Sequence, residues 1–221
     1  DASASAADGP GGSLQLADAL VANNAAGGVA LAGRLDAMAG ADCDAPDLAA
    51  SAGDFDCLLR VAVVANGAVG VSVADRRITQ ARRSYVGATR AGAAAGDGMV
   101  VTRGAHLRLD DDLAALDPMA VLGRGTQVLG NARAGVLADG AGTAFRAHGA
   151  LVASNRGPGV VLQRGATSPA FNASVVSDNV AAGLAVSTGA SVAGILCDQF
   201  VYTRAGAVRG AAGPVTAGDG L

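Results

Sequence analysis

The chain has 221 residues, of which 51% are hydrophobic, and a formal net charge of −3 at pH 7. All 16 basic residues are Arg, all 19 acidic residues are Asp, 33 residues are Gly, and Trp is absent. This balance excludes a disordered chain, which needs low hydrophobicity and high net charge, a Glu/Lys-rich bundle or coiled coil, and a strongly basic nucleic-acid binder.

In chain order, residues 1–12 read as a linker or leading turn, without the basic and apolar regions of a signal peptide. Either such a leader has been removed or the chain is a segment of a longer protein, and the second is the expectation. No apolar run approaches the roughly 18 residues of a membrane span. From residue 13 to 205 the apolar residues fall into short alternating runs: Leu14-x-Leu16, Val61-x-Val63, Val71-x-Val73, Leu107-x-Leu109, Val160-x-Leu162 and Leu184-x-Val186. Alternation with period two marks strands with one buried face. Two stretches interrupt it and are expected as loop insertions, at about 35–57 and about 74–96. Residues 106–130 read as an irregular coil broken at Asp117-Pro118, with a short helix at Asp110–Leu116. Residues 206–221 read as a tail or the start of a further coil.

A repeat organises this stretch. The pattern V-x2-N-x3-G-[V/L] occurs five times, with its Asn at Asn24, Asn66, Asn131, Asn155 and Asn179. The last three are 24 residues apart, and Gly98–Ala105 matches Gly159–Ala166 as a further, degenerate copy. Short strands and turns repeated at this period make one coil of a solenoid, whose apolar face is buried only when coils stack. The fold class expected is all-β, a parallel β-helix of about 24-residue coils. An Asn at a tight corner tolerates positive φ and bonds local backbone, and stacked once per coil its amide can form a ladder. On this motif the chain resembles the right-handed parallel β-helix repeat proteins of the pectin-lyase-like superfamily, over about residues 10–205 apart from the insertions.

The resemblance implies polysaccharide as the substrate or ligand class. Were the chain an enzyme of that kind, Asp110, Asp111, His148 and Arg108 are the residues that could carry acid/base work. The Gly-His-Gly and Arg-x-Lys elements of the hydrolases are incomplete here, because Ala147 precedes His148 and no Lys exists. A non-catalytic structural spacer or binding scaffold, secreted or on a bacterial cell surface, is the expected function. A polysaccharide lyase or glycoside hydrolase is the alternative.

Cys43 and Cys57 flank an Asp/Ala/Pro stretch and are expected to close it as a disulfide, with two free thiols as the alternative. Cys197 reads as a buried small hydrophobe. Asp42, Asp44, Asp47, Asp54 and Asp56 could hold Ca²⁺ through oxygen ligands, although a solvated acidic loop is the preferred reading and no resident cofactor is expected. Arg76, Arg77, Arg82 and Arg83, with Arg90 and Tyr85 nearby, form a cationic cluster suited to an anionic polysaccharide or a partner protein. His106 and His148 share no motif.

Overall fold

In the computed structural model, the residues described are 13–33, 43, 55–90, 96–110, 125–187, 189–193, 195–196 and 208–210. They form an all-β parallel solenoid of three sheets. Sheet A stacks β3 (Gly27–Leu31), β6 (Val69–Val73), β9 (Met99–Thr102), β12 (Val136–Asp139), β15 (Val160–Gln163), β19 (Leu184–Val186) and β22 (Val208–Gly210). Sheet B stacks β1 (Gln15–Ala17), β4 (Asp56–Leu59), β7 (Ile78–Arg82), β10 (His106–Asp110) and β13 (Ala144–His148). It continues through β16 (Thr167–Ser168), β17 (Phe171–Asn172), β20 (Ser191–Val192) and β21 (Ile195–Leu196). Sheet C stacks β2 (Leu20–Ala22), β5 (Ala62–Val64), β8 (Tyr85–Gly87), β11 (Gln127–Leu129), β14 (Leu151–Ala153) and β18 (Val175–Ser177). Each coil runs from sheet C to A to B, and every pairing is parallel.

The motif's three fixed residues occupy one corner and explain one another. The Val columns of sheet C point inward: Val21, Val63, Val86, Val128, Val152 and Val176 are all buried. The Asn follows at the corner between sheets C and A. The Asn155 backbone N–H and Nδ2 both donate to Asn179 Oδ1, at 3.1 and 2.8 Å. Asn131 does the same to Asn155, and Asn24 to Asn66. The Gly makes room for both. A Cβ on Gly159 would lie 2.6 Å from Val176 Cγ1 and 2.7 Å from Asn179 Nδ2, and one on Gly135 would meet Val152 and Asn155 in the same way. So the Gly of one coil is the space into which the Val and Asn of the next coil pack. The residue before each Asn adopts positive φ: Asn23, Ala65, Gly130, Ser154 and Asp178.

The register corrects the placement of the second insertion. In the last coils, Val136 pairs with Val160 and Val160 with Leu184, each 24 residues on, as the motif spacing requires. The segment 74–96 is not an insertion as a whole. It supplies β7 and β8, which pair with β4, β5, β10 and β11, so it is an ordinary coil. It escapes the motif because Thr89 stands where Asn is expected. Val63 pairs with Val86 and Val86 with Val128, which puts Thr89 level with Asn66 and Asn131. Ala88 before it has φ 53°, like its counterparts. Thr89 Oγ1 reaches Asn131 Oδ1 at 3.1 Å and Gly96 O at 2.5 Å. The surplus length falls instead at 91–95 and 111–124, outside the described residues. Residues 106–110, expected as irregular, are the regular strand β10. Of the first expected insertion, 35–57, only Cys43, Phe55 and the β4 residues Asp56 and Cys57 are described. The helix expected at Asp110–Leu116 begins on a strand residue, and the rest of it lies outside the described residues.

Candidate functional site

Strand alternation sends the odd residues of β10 and β4's even residues inward, so Asp56, Thr79, Leu107 and Phe145 make one interior column. Asp56 is thus a core residue, which corrects its reading as part of a solvated acidic loop. Its partner is Arg77. Arg77 Nε donates to Asp56 Oδ2 at 2.8 Å and Arg77 Nη2 donates to Asp56 Oδ1; the two side chains are 4% and 0% exposed. The Leu14 amide and the Thr79 hydroxyl complete the carboxylate's contacts. The other four residues of the candidate calcium set, Asp42, Asp44, Asp47 and Asp54, lie outside the described residues. Among the described residues no three His, Cys or Asp side chains converge as metal ligands.

The Arg cluster is divided rather than gathered. Arg77 is held inside by Asp56, which removes it from any anion-binding role. Arg82 points outward from sheet B yet is 1% exposed. Arg76 and Arg83 are exposed at corners. Arg90, also exposed, donates to Asn23 Oδ1. Cys43 and Cys57 are disulfide-bonded, with Cα atoms 5.7 Å apart. The bridge fastens Cys43 over the outer face of sheet B, where Phe55, Cys57, Leu59 and Ile78 form a small second apolar cluster. Cys197 lies outside the described residues.

The same outer face carries the polar residues singled out as candidates for chemistry. Register places Gln80, Arg108 and Arg146 in one column, and Asp110, His148 and Asn172 in the next. In-register neighbours in a sheet are about 4.8 Å apart, so Arg108, Asp110 and His148 converge on one patch. Asp111 lies outside the described residues. Arg146, which the sequence reading missed, joins them: its Nε lies 3.4 Å from Asp110 Oδ1, an ion pair without hydrogen-bond geometry. Asp110 Oδ1, Arg146 Nε and Asn172 Oδ1 are buried atoms with no hydrogen-bond partner among the described residues, and Gln15 Oε1 on β1 of the same face is another. A buried polar atom left unsatisfied costs about 1–3 kcal/mol, so native surfaces rarely gather several on one face. Arg108 makes no ion pair with any described carboxylate, and His106 stands exposed at the head of the same strand.

Two corners are stitched electrostatically. Arg60 makes a two-pronged pair with Asp18 at 2.5 and 2.7 Å, and this hydrogen bonding holds the Asp18 carboxyl below the usual carboxylate range. Arg164 does the same for Asp139, while its own guanidinium is raised in turn. Compared with family models, with curated proteins and with solved structures, the chain finds no match in any of the three.

Proposed function

We propose that this protein is a non-catalytic β-helix scaffold of the pectin-lyase-like, right-handed type that binds an anionic polysaccharide along the outer face of sheet B. The observation that carries the reading is the patch of Arg108, Arg146, His148, Asp110 and Asn172, in which Asp110 and Arg146 form an ion pair without hydrogen-bond geometry and Asn172 Oδ1 has no hydrogen-bond partner among the described residues. A polymer bearing hydroxyls and carboxylates supplies both donors and acceptors for such atoms, and guanidinium forks pair carboxylates in two-pronged fashion. The disulfide supports an oxidising setting, at a bacterial cell surface or outside the cell.

The test is retention on immobilised anionic and neutral polysaccharides across a salt series. Retention on the anionic polymer, weakened at least about fivefold by Arg108→Gln or Arg146→Gln, supports the reading. Equal retention on neutral polymer contradicts it. A polysaccharide-cleaving enzyme is the second reading, favoured by the adjacency of Asp110 and His148 across β10 and β13. Acid/base hydrolysis needs two flanking carboxylates, and the described part of the face presents one. Appearance of cleavage products with or without Ca²⁺, abolished by Asp110→Asn, would establish the enzyme instead.

A further inference from the structure

At the corner between sheets A and B, a groove of about 500 Å³ is lined by Arg76, Ile78, Arg103, Gly104, His106, Ala141 and Gly142. Register explains how it arises. Ile78 pairs with His106 and His106 with Ala144, so Arg76, Gly104 and Gly142 form one column two residues earlier. Two glycines in succession leave a trough, and Arg76 closes one end: a Cβ on Gly104 would lie 3.4 Å from Arg76 Cγ, and one on Gly142 would meet Gly104 Cα at 3.7 Å. Arg103 lines one side and His106 the other. Arg103 is anchored through Nε on Asp75 at 2.8 Å, while 67% of its side chain stays exposed. Arg76 pairs with no described carboxylate, and no carboxylate is among the lining residues.

We infer that this trough binds a phosphate or sulfate ester carried on a sugar-sized body. Three separate donor groups face one space: two guanidinium forks and an imidazole. A tetrahedral oxyanion ester offers three free oxygens and can serve all three, whereas a carboxylate offers two. The volume falls in the range of small-ligand sites and exceeds what an inorganic anion fills. Ile78 and Ala141 provide apolar walls for the carbon face of a ring. The trough adjoins the Arg108–Arg146 patch through Ile78 and His106 but shares no residue with it, so the Arg108→Gln and Arg146→Gln variants test the patch while Arg76→Gln tests the trough.

The experiment is titration of the whole chain, followed by calorimetry, with glucose 6-phosphate, glucose 6-sulfate, glucuronate and glucose. Binding of either ester with a sub-millimolar constant, at least about tenfold tighter than glucuronate and with none for glucose, is expected; which ester binds tighter identifies the source. Arg76→Gln and His106→Gln, each with an unchanged circular dichroism spectrum, weaken ester binding by about tenfold or more. Arg156→Gln, at the opposite corner, leaves it unchanged. No ester binding at about 10 mM, glucuronate binding as tightly as the esters, parental affinity in both groove variants, or equal loss in Arg156→Gln would each overturn the inference.

Discussion

Residues 125–187 and residues 13–110 build the same cross-section by different means. In the later coils the inward side chains described are apolar or hydroxyl-bearing, none of them charged, and the corner ladder is unbroken. Phe145 and Phe171 meet edge to face with centroids 6.1 Å apart, and Asn131, Asn155 and Asn179 hand hydrogen bonds along at a constant interval. In the earlier coils the column that leads to Phe145 contains Asp56, neutralised by Arg77 from the adjacent corner. The ladder there is interrupted: no hydrogen bond joins the Asn66 amide to Thr89 among the described residues. A hydroxyl has one proton, which Thr89 divides between Asn131 and Gly96, where an amide carries two. The comparison shows that a stacked coil needs its small corner Gly and inward Val more than it needs the Asn. The polar ladder can be broken, and a buried charge pair accommodated, while the sheets stay in register.

The largest effect should come from the buried pair. Arg77→Met leaves Asp56 charged inside the solenoid and should cost about 3–5 kcal/mol in chemical denaturation, whereas Asp56→Leu with Arg77→Met should recover most of it. Next, Asn155→Ala strands donors and acceptors on both neighbouring coils. It should cost about 3 kcal/mol, against about 1 kcal/mol for Asn24→Ala at the half-exposed end of the ladder. Thr89→Asn goes the other way: it restores the missing rung and should stabilise by about 1 kcal/mol, measured by the same unfolding curves. The smallest effect concerns pH. Asp18 and Asp139 both have folded carboxyls below the ordinary range, so their ion pairs stabilise fully above the unfolded value of about 3.9. That contribution erodes as pH falls from there through the folded values. Because Asp18, Arg60 and Arg164 are largely exposed and Asp139 alone is buried, the gain is small. The double variant Asp18→Asn/Asp139→Asn should flatten the acid limb of a melting-temperature profile slightly and lower the plateau near neutrality.

Much of the fold was legible because Val, Asn and Gly are coupled by contact. Each fixes the space of the other two, so their spacing survives where the rest of the coil varies. The coil at 74–90 was not legible, since Thr replaces Asn there and Arg77 and Arg82 occupy buried positions where a solvated loop is the ordinary expectation for Arg. The 65 residues between Asn66 and Asn131 can be divided among coils in more than one way, and only strand pairing shows the surplus at 91–95 and 111–124. The candidate patch was half legible. Asp110, Arg108 and His148 could be named as residue types capable of chemistry. Their meeting depends on a 38-residue register between β10 and β13, which a 24-residue period does not reveal. Arg146 was missed for the same reason, whereas Asn172 follows His148 at the ordinary interval of 24 and was missed because it is not a residue type that draws attention as a site. The Asp56–Arg77 pair spans 21 residues across a corner and matches no helical or strand spacing.

That residues 74–90 are a full coil of one continuous solenoid is tested most directly by residue-resolved amide hydrogen exchange. The Tyr85 amide bonds to Val61 O at 2.9 Å and the Val175 amide to Ala150 O at 2.8 Å, at the same place in their respective coils. Comparable slow exchange of the Tyr85 and Val175 amides is the predicted result. Exchange of the Tyr85 amide at the rate of an open loop, while the Val175 amide stays protected, would contradict it.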